Sequence, residues 1–376
     1  MSGEHFIAAP SSAARRIQCT QSVTLEAQFP ETEETEEARE GTAAHWAVSE
    51  QLSGRLVDVG QVAPNGVILT DEMLHGADLM YDDVVKTLAP YGLKPTDGQI
   101  ETRVKIDRVY PGMFGSPDFY ILVTRRGMPM LLLIWDYKFG HRVVDAYGNA
   151  QMIDYIAGAT EGISDITPGV DIVISIVQPR SFHREGPIRR WTTNLMALRA
   201  AINISSNAVH EALGANPRAR VGPECRDCRA RHACPKLQAE GFAAMDEAKH
   251  IVPLVMDAGQ AGLELRMLDR AAGLLKARRE GLVLQLESLA RQGKPTPGWR
   301  LEQGESRERW TVPAAQVIAT GKLMLLDLAK PTEAITPRQA REKGFDPAIV
   351  AAMAARGASS MTLVEDDGTA ARKVFG

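Results

Sequence analysis

Two aspartates and a lysine stand at the ends of two adjoining apolar stretches. Asp118 precedes the apolar, β-branched-rich residues 119–124, while Asp136 and Lys138 follow the apolar residues 130–135. Both stretches have strand length and are separated by a short turn that contains glycine, so they predict an antiparallel hairpin. Because the two carboxylates fall at the same end of this hairpin, we expect them to lie side by side.

Neighbouring carboxylates repel each other, and each raises the pKa of the other. A hard divalent cation removes this repulsion, and protein-bound Mg²⁺ commonly takes one or two carboxylates and keeps waters for a phosphate. Strand period 2 places Lys138 on the same face as Asp136, where it could hold an attacking water or a phosphate oxygen. The alternative is a tight hairpin whose end charges form a simple Asp–Lys ion pair. The hairpin alone leaves both interpretations open.

The segments around the hairpin predict an α/β protein. Residues 99–107 alternate apolar and charged side chains, which indicates a strand with Glu101 near its start. Further strands are predicted at 169–179 and 188–193, and helices at 71–88, 149–159 and 194–213. Alternation of strands and helices favours a mixed central sheet flanked by helices.

The chain changes character after Pro253. A long helix is predicted over 263–292, followed by a small hairpin over 299–312 and further short helices. We therefore predict two domains, residues 1–250 with the sheet and residues 251–376, which are mainly helical with a small β-hairpin.

Composition narrows the class of protein. The 376 residues carry a net charge of −4 and are 44% hydrophobic, which suits two or three globular domains with a sizeable core. No apolar run reaches 18 residues, and the N-terminal residues lack the charged and apolar regions of a signal peptide, so a cytoplasmic location without membrane contact is expected. The negative net charge does not by itself indicate a nucleic-acid-binding protein, although a net charge averages over local patches of either sign.

Three of the four cysteines are clustered as C-x2-C-x5-C at Cys225, Cys228 and Cys234, and the fourth is Cys19. In a reducing cytosol this spacing suggests a metal or an iron–sulfur centre rather than disulfides. The three clustered cysteines with His232 could bind zinc. The surrounding residues 214–236 hold six cationic and two acidic side chains. Such a loop could follow a phosphate backbone, or it could simply be solvated.

The order of several short motifs resembles the PD-(D/E)xK nuclease superfamily, specifically its RecB-like branch. These motifs are G-S-P-D ending at Asp118, W-D-Y-K ending at Lys138 and Q-M-I-D-Y over 151–155. That branch has a helical histidine after G-T-x-x, matched here by G-T-A-A-H ending at His45. Some members bind a [4Fe–4S] cluster through one cysteine before the nuclease core and three after it, and the cysteines here have this order.

An uncharacterised phage and prophage family of RecB-like proteins is more similar still. It shares S-S-A-x-R near the first cysteine, E-G-T-A-A-H, I-V-Q-P-R and C-x-x-C-x5-C. Its string P-G-W/Y-x-L-x-x-G-x-S-x-R-x-W is matched at residues 297–310. The resemblance covers nearly the whole chain and implies a restriction-endonuclease-like fold.

The resemblance also implies roles for individual residues. The ligands of Mg²⁺ or Mn²⁺ would be His45, Asp118, Asp136 and the backbone carbonyl of Tyr137, with Glu101 as a further acidic contributor. Lys138 would orient the nucleophilic water and stabilise charge on the phosphate, and Gln151 and Tyr155 would steady the site or contact the DNA backbone. The [4Fe–4S] cluster would be bound by Cys19, Cys225, Cys228 and Cys234, and the alternative is zinc at the local site that includes His232.

The expected function is therefore metal-dependent hydrolysis of DNA phosphodiester bonds. We expect an exonuclease of phage recombination or replication that acts on DNA with a free end in the bacterial cytoplasm. A phage single-strand-binding or recombination protein is a candidate partner, and the lack of a G-x-x-x-x-G-K-[ST] P-loop would place any helicase on another chain. The alternatives are a non-catalytic DNA-binding or scaffold protein on a nuclease fold, and a structure-specific endonuclease.

Overall fold

The computed structural model describes residues 6–29, 35–125, 128–163, 170–247 and 255–301, which all fall in one compact unit, Met1–Arg307. Residues Glu308–Gly376 are assigned to a second unit, which lies outside the described residues. The described helices are α1 (Ala13–Gln18), α2 (Gln21–Glu26), α3 (Glu36–Leu52), α4 (Asp71–Leu88), α5 (Ala150–Ala159), α6 (Leu195–Ala212), α7 (Pro235–Glu247) and α8 (Ala258–Arg291). The described strands are β1 (Gln99–Ile100), β2 (Val104–Lys105), β3 (Phe114–Gly115), β4 (Phe119–Arg125), β5 (Met128–Tyr137), β6 (Asp171–Val177) and β7 (Ile188–Asn194).

A five-stranded mixed sheet forms the centre of the described unit, in the order β1-β4-β5-β6-β7. Strands β4 and β5 pair antiparallel, β5 and β6 pair parallel, and β6 and β7 pair antiparallel. The predicted hairpin is thus the middle of the sheet. The prediction of a mixed central sheet flanked by helices is confirmed.

The long strand β5 is buried on both faces, which explains why its sequence is a continuous apolar run. Leu132 and Ile134 belong to a core that also contains residues of α5 and α6. Leu133 and Trp135 belong to a second core with residues of α3 and α4. Since successive strand residues point to opposite faces, the sheet lies between two helical layers.

The predicted strand over residues 99–107 is wrong in its middle. Strand β1 belongs to the central sheet, whereas β2 pairs with β3 in a separate two-stranded sheet. Between them Glu101 has φ = +46°, in the left-handed region that side-chain-bearing residues rarely adopt. Its N–H donates to the carbonyl of Asp118 at 3.0 Å, which fixes the turn beside the hairpin. The apolar alternation continues on both sides of the break and therefore conceals it.

The predicted helix over 71–88 is confirmed as α4, whose first turn is capped by Thr70 Oγ1 accepting from Met73 N at 3.3 Å. The predicted helix over 263–292 is confirmed as α8, which begins earlier, at Ala258. The hairpin expected over 299–312 lies mostly outside the described residues. No helix in the described ranges combines the length and the apolar character needed to cross a membrane.

Helix α8 packs against the segment that carries the clustered cysteines. A Cβ on Gly281 would lie 2.6 Å from Arg231 Cγ and 2.8 Å from His232 N, so α8 approaches this segment closely. Arg278 Nη1 donates to the carbonyl of His232 at 3.3 Å. Contact between α8 and the cysteine segment therefore joins residues on both sides of the boundary expected at 250.

Candidate functional site

The open end of the hairpin brings Asp118 and Tyr137 together. Phe119 pairs with Trp135 in the antiparallel register, so Asp118, one residue earlier, faces Asp136, the residue before Tyr137. The backbone N–H of Tyr137 donates to Asp118 Oδ2 at 2.6 Å. Because the N–H and C=O of one strand residue point to the same side, the carbonyl of Tyr137 also faces the β4 side of the strand. The predicted closeness of the two hairpin ends is confirmed.

Helix α3 and the turn after β1 add two more potential ligands. His45 Nδ1 lies 3.3 Å from Asp118 Oδ1, and the His45 ring packs edge-on against Tyr137 with centroids 5.3 Å apart. His45, Glu101 and Asp118 each offer one ligand atom, and these atoms all lie within 4.8 Å of one another. Residues widely separated in sequence thus form a group that could hold a metal ion.

Asp136 lies beside this group and is only 2% exposed. Lys138 Nζ is 3.1 Å from Asp136 Oδ1, to which it donates, and 3.0 Å from Oδ2. Oδ2 nevertheless has no hydrogen-bond partner among the described residues. This oxygen is in ionic contact with the ammonium but accepts no hydrogen bond, so its lone pairs are open to a bound cation. The predicted Asp–Lys ion pair exists, but within this larger cluster.

The predicted Gln–Tyr pair on α5 holds the lysine from its other side. Lys138 Nζ donates to Gln151 Oε1 at 3.2 Å, and Gln151 Nε2 donates to the hydroxyl of Tyr155 at 3.3 Å. Residues one helical turn apart share a face, which is why both contacts are possible. All residues predicted for the catalytic site therefore meet at one place.

Three carboxylates give this place an excess of negative charge. Burial raises the pKa of Asp136, Lys138 opposes this effect, and the charge of Asp118 adds to it. Burial acts in the same direction on Asp118, but His45 and Lys138 outweigh it and lower the pKa of Asp118. Desolvation, with the charge of Asp118, raises the pKa of Glu101 to about 7, although Glu101 keeps an exposed face.

The two basic groups retain their positive charges more firmly than usual. Burial disfavours the ammonium of Lys138, but Asp136 and Asp118 outweigh this and raise its pKa. His45 is partly exposed, and although desolvation opposes its protonation, the charge of Asp118 raises its pKa. The carboxylates thus hold two positive charges, the ammonium of Lys138 and the protonated ring of His45, and a metal bound by His45 would displace the proton of that ring.

All four cysteines line one small cavity at the end of α1. They are free thiols, and three of the sulfurs accept backbone N–H groups, from Arg220 to Cys19 at 3.4 Å, from Gly222 to Cys225 at 3.4 Å and from Leu237 to Cys234 at 3.5 Å. N–H donors directed at sulfur stabilise metal-bound thiolates. The chain thus brings Cys19 next to the clustered cysteines across some two hundred residues.

The local zinc alternative depends on His232, which the structure places differently. Its Nδ1 lies 3.1 Å from the carbonyl of Arg229, its ring packs on Phe29, and it does not contribute to the lining of the cysteine cavity. Tetrahedral zinc with Zn–S bonds of about 2.3 Å would place its sulfurs roughly 3.8 Å apart. Among the described residues, only His45, Glu101 and Asp118 form a trio of metal-ligand atoms within 4.8 Å of one another. The cysteine sulfurs thus do not have the close spacing of a zinc site.

The size of the cysteine cavity bears on the iron–sulfur alternative. It measures about 20 Å³, room for a single water molecule, while no three of its four sulfurs lie within 4.8 Å of one another, a wider spacing than tetrahedral zinc requires.

A family model described as a protein of unknown function (DUF2800) matches residues 5–342. This match covers most of the 376 residues. The chain belongs to the DUF2800 family. Both the carboxylate cluster and the cysteine cavity lie within the region that defines DUF2800, whose description assigns no activity.

Two residues near the cysteines of this DUF2800 chain were not predicted. Gln18 donates from Nε2 to Cys225 Sγ at 3.9 Å, and its Oε1 accepts from Glu224 N at 3.2 Å. Glu26, almost fully buried, binds Arg15 Nε at 3.0 Å and Arg229 N at 2.7 Å. Position beside Cys19 could have drawn attention to Gln18. No sequence signal indicates that Glu26 is buried.

Proposed function

We propose that this DUF2800 protein is a metal-dependent deoxyribonuclease of the RecB-like PD-(D/E)xK kind that acts as an exonuclease. The observation that supports it is the meeting of Asp118, Asp136 and Lys138 with His45 and Glu101, where one buried oxygen of Asp136 lacks a hydrogen bond. A structural ion pair requires only Asp136 and Lys138. The other three residues are explained by metal-assisted phosphodiester hydrolysis.

The donor set fits Mg²⁺ or Mn²⁺, which prefer carboxylate and carbonyl oxygens. His45, Glu101, Asp118 and Asp136 would hold the ion, with the carbonyl of Tyr137, and the imidazole nitrogen would favour Mn²⁺ relative to an all-oxygen site. When bound, the ion lowers the pKa of a coordinated water and neutralises charge on the phosphate.

The protein's own contribution centres on Lys138. Its ammonium has three N–H donors, and the contacts to Asp136 and Gln151 fix its position. A third N–H can then bond a phosphate oxygen or the attacking water. Because Asp136 and Asp118 raise the pKa of Lys138, the side chain stays charged and can stabilise the negative charge that develops on the phosphate.

The cysteine segment supports a role in DNA binding. Arg218, Arg226 and Lys236 are exposed there and form only surface ion pairs, with Glu211, Asp227 and Glu240. Such pairs contribute little to stability and can exchange for phosphate contacts. We propose a [4Fe–4S] cluster at the four cysteines, with zinc as the alternative, and a structural role that ties α1 to this segment.

The biological setting is proposed from the resemblance alone. It comprises phage recombination or replication, a bacterial cytoplasmic location, and a single-strand-binding or recombination protein as partner. A non-catalytic DNA-binding protein would use the same basic segment, but it would not require the cluster around Asp136.

Incubation of the purified protein with DNA tests the proposal. The substrates are end-labelled single-stranded and duplex linear DNA and a closed circle, with Mn²⁺, Mg²⁺ or EDTA. We expect metal-dependent loss of linear DNA, survival of the circle, and no cleavage by Asp118→Asn. A Lys86→Met control on the exposed side of α4 should match wild type. Cleavage of the circle would indicate an endonuclease, and DNA binding without cleavage would indicate a scaffold.

A further inference from the structure

An open cleft of about 570 Å³ leads to the proposed metal ligands. One wall is a single face of α3, and Glu101 and Asp118 also line the cleft. At 1.5 Å per residue this wall runs for roughly 17 Å along the helix. Its residues recur every three or four positions, as helical geometry requires, and are Ala38, Gly41, Thr42, His45, Trp46 and Ser49.

Trp46 is the only aromatic ring other than that of His45 among the described residues that line the cleft. It is partly buried, packs against the core between the sheet and helices α3 and α4, and also contributes to the cleft wall. A ring fixed by packing on one side and open on the other is a preorganised surface for stacking.

Apart from His45 and Trp46 the residues of this wall are small, and Gly41 is the smallest. A Cβ on Gly41 would meet no atom within 4 Å, so the space beside it is open cleft. No lysine or arginine lines the described part of this cleft. Among the described residues, Lys138 of the carboxylate cluster and a cation bound there would meet the charge of a phosphate. Additional affinity for a nucleotide would come from its base.

We propose that Trp46 stacks on the nucleobase next to the scissile phosphate and that the cleft over α3 receives this one nucleotide. The proposal rests on the proposed nuclease function and adds a residue that selects an intact, unstacked base beside the cut. A base must leave its own stack to reach Trp46, so an unpaired or terminal base is favoured over one inside a duplex.

Variants at Trp46 combined with an abasic substrate test the stacking contact. Trp46→Leu should lower kcat/KM for linear DNA by roughly 5- to 100-fold, and Trp46→Phe should restore most of the loss. A single abasic site next to the cleaved bond should slow wild type by a similar factor. It should slow Trp46→Leu no further, because both changes remove the same contact. Two losses that multiply would overturn the proposal, since a purely structural role of Trp46 predicts that outcome.

A second variant tests the cleft without altering the tryptophan. Gly41→Leu should fill the cleft and reduce cleavage at least tenfold, while Mn²⁺ binding measured by paramagnetic resonance and the thermal unfolding midpoint stay unchanged. The matched control is Gly273→Leu on α8, where a Cβ also meets no atom within 4 Å. If Gly41→Leu folds, binds Mn²⁺ and cleaves like wild type, the cleft does not receive the nucleotide.

Binding measurements separate this proposal from the nuclease function. With Ca²⁺ in place of the catalytic metal, an intact oligonucleotide should quench tryptophan fluorescence in wild type, and an abasic one should not. The quenching should disappear in Trp46→Leu. A wild type that cleaves no DNA overturns the nuclease function, and this quenching then decides the stacking contact alone. If the wild type cleaves DNA, shows no quenching, and the losses from Trp46→Leu and the abasic site multiply, only the stacking contact is overturned.

Discussion

The ammonium of Lys138 lies 3.1 Å from one carboxylate oxygen of Asp136 and 3.0 Å from the other, yet only the first accepts a hydrogen bond. The second oxygen is therefore in ionic contact with the ammonium but accepts no hydrogen bond, which leaves its lone pairs open to a bound cation. Strand period 2 places both side chains on one face, and Gln151 then holds Lys138 in position. The geometry is that of a ligand oxygen kept available beside a fixed cation.

Replacing Lys138 with methionine should separate catalysis from metal binding. We expect kcat to fall by about 10²–10³-fold, because a fixed charge that stabilises the transition state is lost. Affinity for Mn²⁺ should rise or stay equal, since a competing positive charge beside Asp136 is gone. Single-turnover cleavage and Mn²⁺ titration measure the two effects, with Lys86→Met as the control. Parallel losses of binding and cleavage would show that Lys138 mainly holds the site together.

Binding of Mn²⁺ should strengthen as the pH rises from 6 to 8. The pKa of Glu101 is raised to about 7 and that of His45 is also raised, so both groups hold protons at low pH in the metal-free protein. The metal must displace these protons, and each contributes about a tenfold gain in affinity per pH unit below its pKa. In Glu101→Gln the plot of the logarithm of Mn²⁺ affinity against pH should lose the part of its slope that comes from one displaced proton. An unchanged slope in this variant would show that Glu101 does not bind the metal.

The parts of this site that could be predicted from sequence are those fixed by local geometry. An antiparallel hairpin places Asp118 beside the end of β5 whatever the rest of the chain does, and helical spacing pairs Gln151 with Tyr155. The approach of His45 depends on how α3 packs on the sheet, and no local pattern encodes that packing. Only the resemblance indicated it.

One wrong prediction and one residue that the sequence did not single out have the same physical origin. The left-handed turn at Glu101 is held by a backbone bond to Asp118, a tertiary contact that the alternating pattern of residues 99–107 does not reveal. The sequence around Trp46 is that of an ordinary amphipathic helix, and only the neighbouring cleft distinguishes Trp46 from a residue that merely packs in the core. In both cases a partner distant in sequence determines the role.

Substitution at Cys19 should distinguish the two ligand sets at the cysteine cavity. Since Cys19 lines the cavity and His232 does not, Cys19→Ser should lose the bound metal or cluster and His232→Ala should retain it. Anaerobically purified protein should be brown, with thiolate–iron absorbance near ~400 nm and iron in the metal analysis. The opposite result, zinc retained in Cys19→Ser and lost in His232→Ala, would establish the local zinc site.

A fully buried ion pair between α1 and α5 should be the most sensitive point of the fold. Arg16 and Asp154 are both 0% exposed, bond to each other, and share Ser205, which lies 2.8 Å from Arg16 Nη2 and 2.5 Å from Asp154 Oδ1. Arg16→Met leaves a buried carboxylate without its cation and should cost about 3–5 kcal/mol of unfolding free energy.

The cost of Arg16→Met should depend on pH. Burial raises the pKa of Asp154 and Arg16 is the main opposing group, so its removal raises that pKa further. The carboxyl then folds in its neutral form at low pH, and stability should fall as the pH rises above the unfolded value of about 4. Urea unfolding at pH 5 and pH 8 measures this difference. The double variant Arg16→Met with Asp154→Leu should regain most of the loss and show no such dependence, because no buried charge remains. A double variant as unstable as the single one would mean that packing around Arg16, and not its charge, stabilises the contact between α1 and α5.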